Sequence, residues 1–367
     1  MNFVLNIIFC WIFLSYTQAL ANNIQEVIPT FEKILNQASK KEKIPGFAIG
    51  IVNNGRVVYL KGFGYTSFGS KQPITPDTVF QLASLSKTIS GALIGILNQH
   101  DYLTLEDLVS EYLPSFSLQP GQLKIQHVAT HTSGVPRHGF ASIVESHNHN
   151  KRAIIDYLAT SKPICLPGAC YDYHNTCFGL LEDIVKEATK KEFSENLHNY
   201  LLKPLKMNKT TMSYEDLLKE TNKAWPHNKD AKGNLIKCKN HSPWYYKIVP
   251  AGGINSSARD MTQFIIAQLG YRPDIMTKKT LSLIYTPYTE AKDFFIRNPR
   301  NSKRFKSSHY GIGWRILEYE DQKILFHGGL VKGFHNIIAL LPEKDIGIII
   351  LQNSATSFSW NMTMTFF

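Results

Sequence analysis

Residues 84–99 read SLSKTISGALIGILNQ and mark the point at which the chain changes from strand-forming to helix-forming patterns. Apolar residues recur here every three or four positions, which is the spacing of a buried helix face. That face is predicted to carry Ile89, Ala92, Leu93, Ile96 and Leu97. Upstream, residues 46–52 and 56–60 are strand-like and flank Asn53-Asn54-Gly55, which suits a tight hairpin turn. We therefore predict a β-hairpin and, after it, a helix that begins at Ser84.

Helical spacing dominates from about residue 84 to residue 285, and strand patterns return after residue 313. The other predicted helices cover 24–43, 154–160, 176–189, 193–202 and 258–269. The later strands are predicted at 313–318, 323–327, 336–341 and 346–352. A Lys/Asn-rich excursion over 213–245 is predicted to form surface loops with a short hairpin around 230–233. Strands, then helices, then strands predict a sheet built from both chain ends, with an inserted, mostly α-helical lobe.

The composition excludes a disordered chain. Of the 367 residues, 43% are hydrophobic and 12% are aromatic, enough for one or two packed cores. Lys and Arg exceed Asp and Glu by 11 (40 against 29), which raises nucleic acid as a partner. No recognised nucleic-acid-binding module is present, so we expect no such partner. The basic residues at 219–239 and 297–306 predict either a solvated surface or weak association with an anionic envelope surface.

The first 21 residues have the pattern of a secretory signal peptide. They contain no charged side chain, and an apolar run over residues 3–14 leads to Ala19-Leu20-Ala21. The run is shorter than the ~20 apolar residues that span a bilayer, although a membrane anchor is the alternative. We predict cleavage after Ala21, a mature chain of residues 22–367 and a periplasmic or secreted location.

Four cysteines follow the predicted leader. In an oxidising compartment, Cys165 and Cys170 are placed to form a disulfide across the Leu166-Pro167-Gly168-Ala169 turn, with buried thiols as the alternative. Cys177 lies in an apolar helix pattern and is expected to be a buried thiol. The pairing of Cys238 is left open.

Ser84 and Lys87 form the only Ser-x-x-Lys pair in the chain. Positions i and i+3 share a helix face, so the amine of Lys87 can reach the Ser84 hydroxyl. The positive end of the helix dipole favours negative charge near Ser84. An apolar environment would lower the pKa of Lys87 and let it accept the serine proton. The alternative is an ordinary solvated helix start.

Two further motifs carry groups suited to carbonyl chemistry. Tyr173 and Asn175 straddle one position, so an extended backbone points both side chains to the same side. A phenolate near an ammonium is a general base, and an amide can both accept from an amine and donate to a carbonyl. His327-Gly328-Gly329 ends a predicted strand, where glycines let an extended substrate lie alongside. Alternatively, Tyr173 is an aromatic packing residue, Asn175 is a helix cap, and the third motif is a strand-ending turn.

In chain order, Ser-x-x-Lys, Tyr-x-Asn and His-Gly-Gly resemble the serine β-lactamase-related family of class C β-lactamases, D-alanyl-D-alanine carboxypeptidases, D-aminopeptidases and carboxylesterases. The resemblance covers roughly residues 24–353. Its secondary landmarks are Leu105-Glu106-Asp107, Tyr112-Leu113-Pro114, His131-Thr132-Ser133-Gly134-Val135-Pro136, Ala251-Gly252-Gly253 and Tyr310-Gly311-Ile312-Gly313-Trp314. It implies an α+β, β-lactamase/transpeptidase-like fold with an antiparallel sheet flanked by helices. The α/β lobe would comprise about 22–83 and 300–367, and the helical lobe about 84–299.

The resemblance also implies a role for each motif. Ser84 would attack the carbonyl, Lys87 and Tyr173 would share the proton transfers, and Asn175 would orient the amine and the acyl amide. The backbone N–H groups of Ser84 and Leu330 would form the oxyanion hole. The substrate would lie along the third motif, that is, His327, Gly328 and Gly329. His327 would sit beside the leaving group or a substrate carboxylate, and neither a metal nor an organic cofactor is implied.

The third motif departs from the β-lactamase branch of the family, which usually has lysine at the position of His327. Histidine is mostly neutral above about pH 6.5, so His327 lacks the permanent charge of lysine. We therefore expect a secreted, monomeric serine hydrolase that acts on a small molecule or peptide: a D-alanyl peptide, an ester or, weakly, a β-lactam. The alternative is a penicillin-binding or sensor protein that is acylated without turnover. His174 is expected to point into solvent.

Two histidine-containing segments are not assigned to chemistry. His127 and His131 have the i,i+4 spacing of a zinc site, but no glutamate follows His127 as it does in metalloproteases. Both match structural positions of the family, so we predict no metal site there. Ser146-His147-Asn148-His149-Asn150 is expected to be a polar loop.

Overall fold

The structure is a computed structural model, which describes residues 24–114, 122–137, 151–297, 304–319 and 321–367. The predicted signal peptide at 1–21 and the polar loop at 146–150 lie outside the described residues, as does part of the basic run at 297–306. Within the described ranges, no helix combines the length and the apolar character needed to cross a membrane.

The centre of the fold is an eight-stranded antiparallel sheet with the strand order β2-β1-β12-β11-β10-β9-β8-β7. Its strands are β1 Gly46–Asn53, β2 Arg56–Gly64, β7 Thr289–Glu290, β8 Phe305–Tyr310, β9 Arg315–Tyr319, β10 Gln322–Val331, β11 Phe334–Leu341 and β12 Ile346–Gln352. Hydrogen bonding between β1 and β12 joins the two ends of the chain, with Ile49 opposite Ile350. The prediction of an antiparallel sheet from both chain ends is confirmed.

The central strands are apolar along their whole length because both faces of the sheet are covered. All eight residues of β1 are buried. On one face, helix α1 (24–41) and the C-terminal helix α14 (Phe358–Phe366) enclose a core that includes Leu35 and Phe358. On the other face, helix α11 (Ala258–Gln268) packs against β1 and β12. The sheet is thus the middle of three layers.

The inserted segment is mostly helical, as predicted. Its elements are β3 Val79–Gln81, α2 Ser86–Gln99, α3 Val109–Tyr112, α4 Ile125–Ala129, α5 Lys151–Ala159, α6 Asn175–Gly179, α7 Leu181–Thr189, α8 Phe193–Leu197, α9 Tyr214–Lys219, β4 His227–Lys229, β5 Leu235–Lys237, α10 Val249–Gly252, β6 Asn255–Ser257, α11, α12 Lys278–Ile284 and α13 Asp293–Arg297. The helix predicted over 176–189 is divided between α6 and α7, and the helix predicted over 193–202 continues after α8 as a π-helical turn. The hairpin predicted around 230–233 forms between β4 and β5.

Helix α2 is buried more completely than its apolar pattern indicates. Every residue from Ser86 to Leu97 is buried, including Lys87. Two glycine contacts make this possible. A Cβ on Gly91 would lie 2.3 Å from the carbonyl oxygen of Ile312, and a Cβ on Gly313 would lie 2.1 Å from that of Lys87. The turn before β9 therefore packs directly on the backbone of α2, so the prediction of a single buried face is incomplete.

The cysteines divide into a pair and two thiols. Cys165 and Cys170 form a disulfide with a Cα–Cα distance of 6.3 Å. Cys177 and Cys238 are buried free thiols, and burial raises the pKa of Cys177 to about 11. The expected disulfide and the expected buried thiol of Cys177 are both confirmed.

The packing of α2 predicts different outcomes for two glycine-to-alanine substitutions in one helix. Alanine normally stabilises a helix interior by about 1 kcal/mol relative to glycine. At Gly91 the new methyl group would meet the rigid Ile312 backbone, and we expect the free energy of unfolding to fall by about 2 kcal/mol. At Gly95 the nearest atom is the side-chain end of Ile284, at 2.8 Å, which can move.

Urea unfolding of the Gly91→Ala and Gly95→Ala variants measures the difference. We expect Gly95→Ala to lower the free energy of unfolding by less than about 1 kcal/mol, because the gain in helix propensity offsets the side-chain adjustment. Equal stability of the two variants would contradict the close approach of the turn to α2.

Candidate active site

Ser84 lies on the 3₁₀ turn Ala83–Leu85, which leads directly into α2. The preceding residue, Ala83, has φ +52°, a left-handed conformation that is unfavourable for a residue with a side chain. Strain of this kind is retained where the surrounding structure enforces it, often at functional sites. Ser84 is partly exposed and borders a cavity of about 530 Å³.

The amine of Lys87 is buried one helical turn after Ser84. Its Nζ lies 2.7 Å from Asn175 Oδ1, 2.6 Å from the carbonyl oxygen of Ala251 and 3.4 Å from Ser84 Oγ. Burial first, and the nearby charge of Arg315 second, hold the pKa of Lys87 well below its usual value. The amine therefore loses its proton more readily than that of an exposed lysine.

A neutral amine fits these three partners. It has two N–H donors and one lone pair, whereas a carbonyl oxygen can only accept. With two donors directed at Asn175 and Ala251, the third position of the amine faces Ser84 Oγ, and in the neutral amine this position is the lone pair. The geometry is that of a proton acceptor placed beside an alcohol.

Asn175 reaches Lys87 because α6 begins at this residue. The helix is capped by His174, whose Nδ1 accepts the backbone N–H of Cys177 at 3.2 Å. The backbone N–H of His174 in turn donates to Nδ1 of His131 at 3.1 Å. His174 is buried, and burial lowers its pKa to about 4. The expectation that it points into solvent is wrong, because capping α6 turns the imidazole inward.

Tyr173 lies against the same amine. The Lys87 Nζ is 4.8 Å from the centroid of the Tyr173 ring, and the ring of His131 is 4.3 Å from it on centroids. Tyr173 and Asn175 therefore both approach Lys87, as their alternating positions predict. His131 supports this arrangement through its ring contact and through the hydrogen bond to His174.

His327 is buried in the wall of the cavity. Its Nδ1 lies 2.8 Å from the carbonyl oxygen of Gly328, so Nδ1 carries the proton and donates. In neutral histidine Nε2 is then an acceptor, and the hydroxyl of Tyr310 lies 2.9 Å from it. Burial first, and then the charges of Lys87 and Arg315, hold the pKa of His327 well below its usual value. The imidazole is thus a neutral, hydrogen-bonded side chain.

The two glycines that follow His327 bring β10 to the serine turn. A Cβ on Gly329 would lie 2.0 Å from the carbonyl oxygen of Leu82, whereas one on Gly328 would meet its first neighbour, in Ile337, at 3.4 Å. Among the described residues, β9 pairs with β10 only as far as Phe326. The edge of β10 beyond that residue includes Leu330, which is 62% exposed.

The cavity collects most of the site residues predicted from the sequence. It is lined by Ser84, Tyr173, Asn175, His327, Gly328, Gly329 and Leu330. Lys87 lies behind this lining and contacts Ser84 and Asn175. Sequence reasoning missed the functional position of Tyr310, His131 and Arg315. The first two stand inside motifs that were noted as family landmarks, and Arg315 directly follows Trp314. No signal in the sequence indicates the partner of Arg315, which is Asp293.

The i,i+4 pair of histidines has other roles in the structure. Nδ1 of His127 accepts the backbone N–H of Lys124 at 3.2 Å, and His131 accepts from His174. In the part of the chain that the structure describes, no group of three or more His, Cys, Asp or Glu residues is arranged to hold a metal ion.

Relatives of known sequence match nearly the whole chain. Protein flp of Staphylococcus aureus strain MW2 is 28% identical, with 91% of this chain and 64% of the relative covered, so the chain spans less than two thirds of that protein. A beta-lactamase of Escherichia coli K12 is 24% identical, with 90% and 89% covered.

Solved structures share the fold. The octameric penicillin-binding protein homologue from Pyrococcus abyssi superposes with a TM-score of 0.81 at 26% identity, covering 92% of this chain and 76% of that one. EstCE1, a hydrolase with promiscuous acyltransferase activity, superposes with a TM-score of 0.78 at 19% identity, covering 93% and 98%. The fold is therefore β-lactamase/transpeptidase-like.

A family model described as Beta-lactamase matches residues 31–362. The match includes every motif that forms the cavity and both ends of the central sheet. The chain belongs to the beta-lactamase family.

Proposed function

We propose that the protein is a serine hydrolase in which Ser84 forms an acyl-enzyme with an amide, ester or β-lactam carbonyl. The observation that carries the proposal is the buried Lys87 amine, held by Asn175 and Ala251 with its third position facing Ser84 Oγ. A lysine kept neutral by burial is a suitable general base for a serine nucleophile.

The reaction follows from this geometry. Ser84 Oγ attacks the carbonyl carbon while its proton passes to Lys87 Nζ, and the carbonyl oxygen becomes an oxyanion. When the bond to the leaving group breaks, the proton passes to that group, with Tyr173 close enough to take part. A water molecule then attacks the acyl carbonyl carbon and gives one proton to Lys87. The bond between the acyl carbon and Ser84 Oγ breaks, that proton returns to Ser84 Oγ, and the acid is released. All proton transfers thus occur around a single amine.

The oxyanion requires donors opposite Lys87. We assign this role to the backbone N–H groups of Ser84 and Leu330, a type of interaction worth about 3–4 kcal/mol per donor in other enzymes. The close approach of Gly329 to the Leu82 carbonyl supports the assignment, because it brings β10 up to the serine turn. The edge of β10 beyond Phe326 would pair with an extended substrate backbone.

The neutral state of His327 favours the peptidase and esterase branches over the β-lactamase branch. Both of its ring nitrogens are hydrogen-bonded to other groups of the protein, so the ring offers no charge to a substrate carboxylate. Names of relatives point to several activities: the Escherichia coli protein is a beta-lactamase, and the Pyrococcus abyssi protein is a penicillin-binding protein homologue. A protein that is acylated without turnover is the second candidate.

We further propose that the protein is exported to an oxidising compartment and acts there as a monomer. The Cys165–Cys170 disulfide supports export, since such bonds persist mainly outside the cytosol. Weak association of the basic surface with an anionic envelope is part of the same proposal.

The first prediction concerns the nucleophile. A fluorescent penicillin or a fluorophosphonate is expected to label the wild-type protein covalently at Ser84, and peptide mapping by mass spectrometry locates the label. The Ser84→Ala variant should remain unlabelled, whereas Ser86→Ala, two residues along the same turn, should still be labelled. Equal labelling of wild type and Ser84→Ala would exclude Ser84 as the nucleophile.

The second prediction compares the adjacent glycines of β10. Gly329→Ala places a methyl group against the Leu82 carbonyl and moves β10 away from Ser84. We expect the rate of Ser84 labelling to fall by more than about a hundredfold, the size of the loss when an oxyanion donor is removed.

Gly328→Ala is the matched control, because its methyl group makes ordinary contacts with Ile337 and Phe326. Its rate of Ser84 labelling should fall less than that of Gly329→Ala. Thermal unfolding confirms that both variants fold, and identical labelling rates for the two would contradict the proposed oxyanion geometry.

The third prediction concerns the substrate. In a panel of a chromogenic cephalosporin, a D-alanyl-D-alanine peptide, D-amino-acid amides and short-chain aryl esters, we expect a peptide, amide or ester to be hydrolysed at least as fast as the cephalosporin. A cephalosporin rate hundreds of times above all others would contradict the argument from His327. A single stoichiometric burst with every substrate would instead establish the sensor alternative.

A further inference from the structure

A second buried cation lies beside the candidate active site. Arg315 is the first residue of β9 and is 8% exposed. It forms a bidentate ion pair with Asp293, in which Nη1 and Nη2 each lie 2.9 Å from one carboxylate oxygen. Asp293 is the first residue of α13. Burying a guanidinium is unfavourable unless it is paired and hydrogen-bonded, and this geometry satisfies both conditions.

Arg315 contacts the same aromatic ring as Lys87. Its Cζ is 5.7 Å from the centroid of Tyr173 and 5.8 Å from that of Tyr310, while Lys87 Nζ is 4.8 Å from the centroid of Tyr173. Arg315 also lines the cavity that Ser84 borders. Lys87 and Arg315, which come from different parts of the fold, therefore both approach the ring of Tyr173.

The other titratable groups around Lys87 are uncharged at neutral pH. His131 follows the α4 segment and His327 belongs to β10, and burial holds the pKa of each well below its usual value. Tyr310 belongs to β8, and burial raises its pKa well above its usual value. Arginine, by contrast, keeps its proton throughout the working pH range.

The charge of Arg315 acts on the Lys87 amine. Burial is the largest cause of the lowered pKa of Lys87, and the guanidinium charge lowers it further. The bidentate bond to Asp293 fixes the position of the guanidinium.

We propose that Arg315, held by Asp293, is a positioning residue whose permanent charge keeps the Lys87 amine uncharged with its lone pair towards Ser84. The inference rests on the proposed function of Ser84 and Lys87. In this protein the fixed positive charge of the site comes from β9, while the motif on β10 carries the neutral His327.

The test measures the rate at which a fluorophosphonate labels Ser84 between about pH 5 and pH 10, with intact-protein mass spectrometry as the readout. The wild-type rate should fall on the acid side as Lys87 becomes protonated. In Arg315→Gln the repulsion is lost, so we expect the acid limb to move to higher pH by about one unit. At a pH on that limb the rate would be roughly tenfold lower than in wild type.

Two variants break or alter the ion pair but retain the cation. Asp293→Asn removes the carboxylate, and Arg315→Lys replaces the planar fork by a point charge. In both we expect the acid limb to stay within a few tenths of a pH unit of wild type, even where thermal unfolding shows lower stability. A purely structural ion pair would give Asp293→Asn and Arg315→Gln the same profile, and that result would overturn the inference.

Folding and the proposed function are tested separately. If Arg315→Gln does not fold because Asp293 loses its partner cation, the double variant Arg315→Gln/Asp293→Asn removes both charges and should show the same shift to higher pH. An unshifted double variant overturns the inference while leaving Ser84 as the nucleophile. Wild-type protein that is labelled at a residue other than Ser84 overturns the proposed function and the inference together.

Discussion

The hydrogen bonds of the Lys87 amine are the constraint on which the rest of the site depends. Three separate segments meet at this atom: α2 supplies the amine, α6 supplies Asn175 Oδ1 and α10 supplies the carbonyl oxygen of Ala251. An unpaired buried amine would be costly, so these segments must keep their relative positions for the fold to be stable. The same requirement leaves one position of the amine directed at Ser84.

Close backbone contacts hold the sheet against this centre. Gly91 and Gly313 let the turn before β9 rest on α2, and Gly329 lets β10 rest on the turn that carries Ser84. Each contact is closer than any side chain would allow. Glycine at these positions thus links the geometry of the sheet to that of the turn that carries Ser84, so we expect a methyl group added at Gly91 to act on stability and one added at Gly329 to act on reactivity.

Burial determines the protonation states around the cavity. It disfavours the charged forms of Lys87, His131 and His327, whereas Arg315 remains a cation that is paired with Asp293. The result is a site with neutral acceptors beside a serine and a fixed positive charge behind them. This arrangement supports the proposal of an acyl-enzyme whose substrate need not carry a carboxylate.

Local patterns in the sequence were sufficient for most of the helices and strands of the central fold, the sheet formed from both chain ends and the three motifs, because periodicity and spacing act between neighbouring residues. For Cys165 and Cys170 they left a disulfide and two buried thiols as alternatives. They misplaced His174, since a residue that looks polar and exposed in the sequence is buried where it caps α6. They also missed Asp293, which lies 22 residues before its partner, Arg315, and bears no recognisable pattern. The sequence by itself determined which groups are available for chemistry; only the tertiary structure decided which of them are buried, paired and neutral, because burial and charge pairing depend on contacts between segments far apart in the chain.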